Sequence, residues 1–333
     1  LYLTSGVTDL YLETGEQALF EALERQWIDM SSRKMYLTGG FGALHRGEAF
    51  GQAYELPSES SYCETCAAIA AMMWNWRMLL ATGEARYADL LERSLYNGFL
   101  SGVSLDGKGF FYVNPLFSRG NRQRQEWYAC ACCPPNIMRQ VAAIGQYLAT
   151  ADETGLQVHQ YASAQISVQS ANSGPVVLSI ETDYPWGERI KITIEEASGG
   201  SWILSLRVPG WAVGASLSIN GQTIAAILEP GSYFTHERAW QAGDLIELHI
   251  PVPARLTAPN PRIEDLRGTL AIERGPFVYC LEQVDQQPDV SFNDLIIDPS
   301  QPLETSWRED LLGGVAAITA NGAIRDTAEW GDR

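Results

Sequence analysis

Residues 67–80 read AAIAAMMWNWRMLL, a stretch in which only Asn75 and Arg77 carry amide or charged side chains. A segment that is apolar on nearly every face predicts a helix that is buried on all sides. Such a helix needs neighbouring helices around it, because any side left in water exposes apolar surface. This stretch therefore decides the fold of the first half of the chain.

An internal repeat indicates what those neighbours are. The strings TGE at residues 14–16 and LER at 23–25 recur as TGE at 82–84 and LER at 91–93, an offset of 68 residues. In each copy the glycine suits the left-handed position that ends a helix, and the glutamate suits the start of the next helix. The repeat predicts an array of helical hairpins.

A further helix is predicted from about Pro135 to Ala149. The double proline that opens this segment is typical of a helix start. Apolar residues then follow at helical spacing, namely Ile137, Val141, Ile144 and Leu148.

Short alternating strands replace the helical pattern near residues 152–156. Residues 164–168 and 189–194 alternate apolar and polar side chains, and Asn220-Gly221 is a strong hairpin signal. Turn residues at short intervals predict an antiparallel β-sandwich.

These patterns divide the chain into three expected domains. Residues 1–155 form a helical domain, 156–258 a β-sandwich and 259–333 a second sandwich with strands within 269–281. The prolines at residues 259–261 mark the boundary between the two sandwiches. The expected class is an α + β multidomain protein.

The composition excludes several classes of protein. Apolar residues make up 46% of the 333 residues, which excludes a disordered chain. Acidic residues number 40 against 23 basic ones, and a net charge of −17 repels phosphate backbones, so no nucleic acid is expected as a partner. No apolar run reaches the roughly 18 residues of a membrane-spanning helix, so no membrane partner is expected. The sequence is compatible with a homo-oligomer.

The cysteine usage and the start of the chain bear on cellular location. The chain is large and Cys280 is isolated, so the cysteines do not resemble a small secreted disulfide framework. Reduced thiols favour a cytoplasmic location. The chain opens LYLT without Met or a signal-peptide pattern, and we expect that its start is missing.

Five of the six cysteines fall into two clusters, CETC at residues 63–66 and CACC at residues 130–133. Thiolates are soft metal ligands and strong nucleophiles. Glu64 and Cys66 lie at the start of the buried helix, and Cys132 and Cys133 precede the helix that opens with prolines. If these two helix starts converge, the four residues complete a tetrahedral zinc site.

Two other interpretations of the cysteines stay open at this point. Cys63 and Cys66 have the spacing of a thiol redox pair. Alternatively, the clusters consist of buried, inert cysteines.

One carboxylate and several aromatic residues are further candidates. Glu48 lies among glycines and phenylalanines in a loop, where partial removal from water suits a general acid, although a solvated loop glutamate is the simpler interpretation. His45 is better explained as a structural or surface residue. The aromatic residues at loop-like positions fit carbohydrate binding or core packing, and they are Tyr54, Tyr62, Phe110, Phe111, Tyr112, Trp127 and Tyr128.

Eight segments together resemble glycoside hydrolase family 127, the β-L-arabinofuranosidases. They are RKMYLTGGFG, GEAFG, YELP, CETCAAIA, LERSLYNGFLSGVSLDGKGFFYVNPL, CCPPN, LRVPGW and ERGPFVYCLE. The resemblance covers almost the whole chain. It implies part of an (α/α)6 toroid followed by antiparallel β-sandwich domains.

The resemblance also implies a reaction and the residues that perform it. The enzyme would be a retaining glycoside hydrolase that releases terminal β-L-arabinofuranose from an oligosaccharide or glycan. Its Zn²⁺ ligands would be Glu64, Cys66, Cys132 and Cys133, its nucleophile Cys132 and its acid/base Glu48. Tyr112 and Glu92 would lie in the sugar pocket.

Two further expectations follow from the resemblance. A toroid of this kind needs six helical hairpins, so we expect the chain to be the C-terminal portion of the enzyme and to be inactive by itself.

The alternative functions are a non-catalytic carbohydrate-binding protein with a structural zinc site and a thiol redox protein with a Cys63–Cys66 disulfide.

Overall fold

The computed structural model describes residues 1–170, 174–197, 199–286 and 290–325. It is an α + β structure in which helices come first and several β-sheets follow. Within these residues the α-helices are α1 (Tyr2–Thr14), α2 (Gln17–Arg33), α3 (Thr65–Thr82), α4 (Ala85–Arg93) and α5 (Cys133–Ala143). Helix α4 continues into a π-helical turn over Ser94–Phe99 and a 3-10 turn over Leu100–Gly102.

The helices form two hairpins, α1 with α2 and α3 with α4, as the internal repeat predicts. Gly15 and Gly83 end the first helix of each pair with φ of 68° and 71°. Glycine adopts this left-handed conformation without the strain that a Cβ atom introduces. Helix α3 is largely buried against α1, α2 and α4, with Ile69 and Met72 fully inaccessible to water. Burial on all sides is confirmed only in part, because Leu80 at the end of the segment is 47% exposed.

Helix α5 differs from its prediction at the C-terminal end. It stops at Ala143 and is followed by a 3-10 turn over Ile144–Tyr147, so it is shorter than the predicted segment. Ile137 is buried, but Val141 is 51% exposed, so the predicted apolar face is only partly used. The helix ends early because the first strand of the sandwich begins two residues after the turn.

Two sheets pack face to face from residue 149 onward. The order in one sheet is β1-β2-β6-β9 and in the other β3-β4-β5-β10-β7-β8, and all strand pairs are antiparallel except β2 with β6. The strands are β1 (Ala149–Ala151), β2 (Gly155–Val158), β3 (Ala164–Ser170), β4 (Gly174–Thr182), β5 (Arg189–Ala197), β6 (Trp202–Val208), β7 (Ser216–Ile219), β8 (Gln222–Thr223), β9 (Ser232–Arg238) and β10 (Leu245–His249).

The alternating strands bury one common core between these sheets. Val158 and Leu204 on one sheet and Ile192 and Leu248 on the other belong to the same buried cluster. The predicted hairpin joins β7 to β8, with φ of 52° at Asn220 and 76° at Gly221. Positive φ at both central residues is what a tight two-residue hairpin requires.

The remaining strands form three small sheets. β11 (Ala254–Thr257), β12 (Ala271–Arg274) and β13 (Phe277–Val278) make one sheet, which confirms strands within 269–281. β14 (Leu295–Ile297) pairs with β17 (Gly322–Ile324), and β15 (Glu304–Arg308) with β16 (Val315–Thr319). The proposed domain limits stay predictions, and residues 326–333 lie outside the described residues.

The helical part is joined to the sandwich through a buried ion-pair group. Arg207 of β6 is fully buried and bonds to Asp89 at 2.5 Å and to Glu92 at 2.6 Å, both on α4.

In the described part of the chain, no helix has the length and apolar character needed to cross a bilayer.

Candidate metal and catalytic site

Two helices begin next to each other and carry the cysteine clusters at their first residues. Glu64 immediately precedes α3 and Cys66 lies in its first turn, while Cys132 immediately precedes α5 and Cys133 opens it. The unpaired N–H groups and the dipole of a helix N-terminus favour anionic ligands. The fold thus brings together the four side chains that the sequence singled out.

The spacing of these four side chains fits one metal ion. Their ligand atoms all lie within 4.8 Å of one another. The Cys133 sulfur is 3.3 Å from that of Cys66 and 3.7 Å from that of Cys132, and Glu64 Oε1 is 3.4 Å from the Cys132 sulfur. A tetrahedral zinc ion with bonds to sulfur of about 2.3 Å separates two sulfur ligands by about 3.8 Å. Three sulfurs and one oxygen at these distances could hold such an ion.

The surroundings of the group disfavour negative charge that is not compensated. Burial raises the pKa of Glu64, and it raises the pKa of the Cys132 thiol to about 12. The hydrogen bond between Cys66 and Cys133 raises the pKa of Cys133 above its usual range and lowers the pKa of Cys66. A bound cation would favour the deprotonated form of these side chains, because metal ligands must be deprotonated.

Glu48 lies beside the group on a short turn. Leu44 and Ala49 form an antiparallel bridge, and the turn between them leaves Glu48 exposed, as the solvated-loop interpretation predicts. The carboxylate nevertheless points back to the site, where its Oε1 accepts a hydrogen bond of 2.7 Å from the hydroxyl of Tyr62. Burial of Glu64 is the main cause of its raised pKa, and the negative charge of the nearby Glu48 raises it further.

Tyr112 lies between Tyr62 and the cysteines. Its ring meets those of Tyr62 and Tyr128 edge to face, with centroids 5.9 Å and 5.4 Å away. Its hydroxyl lies 4.0 Å from the Cys130 sulfur and also contacts the Cys132 thiol. Burial raises the pKa of Tyr112, so its hydroxyl stays protonated and can donate a hydrogen bond at the site.

The two remaining clustered cysteines do not join the group. Cys63 is buried in a separate cluster with Tyr36 and Leu56, and burial raises its pKa to about 12. Cys130 is exposed. Cys63 and Cys66 are both free thiols here, and Cys66 contacts Cys133 rather than Cys63, so the structure disfavours the redox-pair interpretation.

Glu92 lies at the junction between α4 and the sandwich. Its side chain is 2% exposed and is bonded to Arg207, to the hydroxyl of Tyr184 and to the indole N–H of Trp211. All three partners belong to the sandwich side of the junction. Glu92 is not one of the four clustered side chains, and its carboxylate is a partner of the buried Arg207.

Asn136 is a neighbour of the site that the sequence did not single out. Its side-chain amide contacts the Cys66 thiol and donates to the hydroxyl of Tyr2. That hydroxyl in turn donates to the backbone oxygen of Cys66 at 3.1 Å. The available signal was the position of Asn136 in the first turn of α5, three residues after Cys133.

Three family models match successive parts of the chain. The "Beta-L-arabinofuranosidase, GH127 catalytic domain" matches residues 3–146 and the corresponding middle domain residues 155–252. The glycoside hydrolase family 127 C-terminal domain matches residues 254–320. Together they cover nearly all of the chain.

Comparison of the chain with known proteins points to the same family as the family models. The non-reducing end β-L-arabinofuranosidase of Bifidobacterium longum subsp. longum is 33% identical over 99% of this chain and 52% of its own length. A solved β-L-arabinofuranosidase of Geobacillus stearothermophilus T6 superposes with a TM-score of 0.93 at 37% identity, covering 99% of this chain and 53% of that one. A second solved β-arabinofuranosidase has a TM-score of 0.91 at 36% identity, covering 97% and 53%. The chain thus spans about half the length of these relatives.

Proposed function

Because the chain belongs to glycoside hydrolase family 127, we propose that the full-length protein is a retaining glycoside hydrolase that releases terminal β-L-arabinofuranose. The substrate is an arabinofuranoside-containing oligosaccharide or glycan. The observation that carries this proposal is the group of Glu64, Cys66, Cys132 and Cys133 within 4.8 Å, with the Glu48 carboxylate held beside it.

We assign the helical hairpins to part of an (α/α)6 toroid. Supporting this, α1–α2 and α3–α4 are consecutive antiparallel pairs of similar construction, each joined through a left-handed glycine. The proposed domains are residues 1–155, 156–258 and 259–333. The free cysteines support the proposed cytoplasmic location.

Cys132 is the proposed nucleophile. Its sulfur attacks C1 of the arabinofuranose, the bond from C1 to the leaving oxygen breaks, and Glu48 transfers a proton to that oxygen. Glu48, now a carboxylate, takes a proton from water, whose oxygen attacks C1 and displaces the Cys132 sulfur. Two displacements at C1 retain its configuration.

The metal, when bound, would keep the ligand thiols deprotonated at neutral pH. Glu64, Cys66, Cys132 and Cys133 are the residues that would hold it. Tyr112, between Glu48 and the cysteines, contributes a hydroxyl for hydrogen bonding to the sugar. Glu92, whose carboxylate is bonded to Arg207, is the second residue that we assign to the sugar pocket.

Covalent labelling tests this proposal directly. An arabinofuranose-configured epoxide incubated with the full-length protein should label Cys132, and peptide mapping should find no label on Cys63, Cys130 or Cys280. Glu48→Gln should retain the metal yet lower turnover by roughly 10²–10⁴-fold, the scale on which a general acid contributes. A label on a carboxylate would contradict the thiolate mechanism.

The second candidate function is a non-catalytic carbohydrate-binding protein with a structural zinc site, which the exposure of Glu48 favours. In that case arabinofuranosides bind but are not hydrolysed. Cys132→Ser then lowers the stability of the protein, and there is no hydrolytic activity for it to abolish.

A further inference from the structure

Glu48 occupies a position that needs an external support to function as an acid/base. It is exposed, and it has a left-handed backbone with φ of 49°, directly after Gly47 with φ of 78°. A glutamate side chain on an exposed turn can adopt many rotamers, and fixing one of them costs conformational entropy. Effective proton transfer requires the carboxyl group to be held within hydrogen-bond distance of the reacting oxygen.

Tyr62 provides that support. Its side chain is only 8% exposed, and its ring is held edge-to-face between those of His45 and Tyr112, with centroids 5.1 Å and 5.9 Å away. Its hydroxyl donates the 2.7 Å hydrogen bond to Glu48 Oε1. A buried donor thus holds an exposed acceptor.

We propose that Tyr62 is the positioning residue for Glu48, holding one carboxylate oxygen so that the other faces the leaving group. This inference rests on the proposed function. Because the Tyr62 hydroxyl donates to Oε1, the proton that Glu48 transfers resides on Oε2. Tyr112 packs against Tyr62 and contacts the Cys132 thiol, so the same pair of tyrosines fixes the acid/base relative to the nucleophile.

The test compares leaving groups in the full-length Tyr62→Phe variant. An alkoxide leaving group needs protonation, whereas p-nitrophenolate departs largely without it. We expect kcat/KM on methyl β-L-arabinofuranoside, which reports the step that breaks the glycosidic bond, to fall about 10- to 100-fold, the range for losing a hydrogen bond to a charged group. On p-nitrophenyl β-L-arabinofuranoside kcat/KM should fall less than about 3-fold. Zinc content should not change. Equal losses on both substrates, or none, would overturn the inference.

Controls separate this inference from the proposed function. Tyr36→Phe removes a hydroxyl from another buried tyrosine, which donates to Pro57 at 3.1 Å, and should leave both substrates unaffected. Tyr62→Phe added to Glu48→Gln should cause little further loss, because both act on one group. If Glu48→Gln itself has no effect on the methyl glycoside, the proposed function fails rather than the role of Tyr62.

A second variant covers the case in which Tyr62→Phe does not fold. Incorporating 4-fluorophenylalanine at position 62 fills the volume of the hydroxyl without supplying a donor. The same selective loss on the methyl glycoside is expected, and turnover equal to that of the parent on both substrates would refute the role of the hydrogen bond.

Discussion

At the scale of single residues, the site is decided by which atoms can share a small, half-buried space. Cys66, Cys132 and Cys133 bring three sulfurs together with one oxygen of Glu64, and these four donors are brought within 4.8 Å of one another. Burial raises the pKa of Cys132, and a bound cation would favour its thiolate form. The donor set of soft sulfurs and one carboxylate suits zinc better than calcium or magnesium, which prefer oxygen.

Zinc content provides the residue-scale prediction. The full-length protein should contain one zinc ion per chain, and Cys66→Ser should remove most of it, because a neutral hydroxyl is a poor replacement for a thiolate. The midpoint of thermal unfolding should fall with it, since metal binding contributes folding free energy. Elemental analysis measures the first effect and calorimetry the second.

Cys130→Ser is the matched control, because Cys130 belongs to the same sequence cluster but is exposed and outside the donor group. It should retain full zinc content. Zinc that persists in Cys66→Ser, or is lost equally from Cys130→Ser, would show that the ligands are other residues.

At the scale of elements, contacts between helices and strands align the two halves of the molecule. His159, directly after β2, bonds through one ring nitrogen to Thr150 at 2.8 Å and through the other to Tyr233 at 2.5 Å. Its ring also meets that of Trp76 on α3, with centroids 5.7 Å apart. Burial, followed by the nearby Arg207 charge, lowers the pKa of His159 to about 3. The histidine is therefore neutral in the folded protein.

This neutral histidine should make the protein sensitive to mild acid. The unfolded chain takes up a proton at a pKa of about 6.5, whereas the folded protein does so only near 3. The contribution of His159 is therefore present above pH 6.5 and is lost as pH falls towards 3. Between pH 7 and pH 5 the free energy of unfolding should drop by about 2 kcal/mol from this group.

Urea unfolding of the parent and of His159→Gln at pH 7 and pH 5 measures this contribution. The variant should be less stable at pH 7 but should lose about 2 kcal/mol less on acidification. His249→Gln changes an exposed histidine and should behave like the parent. Identical pH dependence in the parent and His159→Gln would refute the assignment.

At the scale of the whole molecule, one buried charge joins helices to sandwich. Arg207 bonds to Asp89 and Glu92 on α4, and its Nε donates to the backbone oxygen of His159. A second link of this type connects Arg93 at the end of α4 to Glu273 of β12 at 2.9 Å. The junction therefore depends on charge pairing as well as on apolar packing.

Arg207→Met should destabilise the protein strongly. Its removal leaves two carboxylates without their partner, one of them fully buried, and breaking a buried pair in this way typically costs about 3–5 kcal/mol. Chemical denaturation should show the loss, and adding Glu92→Gln should recover part of it by removing one of the stranded charges. Arg308→Met, in an exposed pair with Asp310, should leave the unfolding midpoint unchanged. A midpoint equally unaffected in Arg207→Met would contradict the structural role.

The sequence by itself determined the features that depend on neighbouring residues. The left-handed glycines of the two hairpins, the buried α3, the alternating strands and the Asn220-Gly221 turn all follow from local patterns, because backbone conformation and amphipathicity act over a few residues. The two cysteine clusters were visible for the same reason. The sequence could not determine whether the two clusters meet in space, because helices that begin 68 residues apart come together only through tertiary packing.

Only the tertiary structure decided which side chains share an environment. It placed Glu92 against Arg207, exposed Glu48 and bonded it to Tyr62, and ended α5 early where the sandwich begins. None of these contacts has a local signature, since each depends on the free energy of burying a charge or donor that a distant segment supplies.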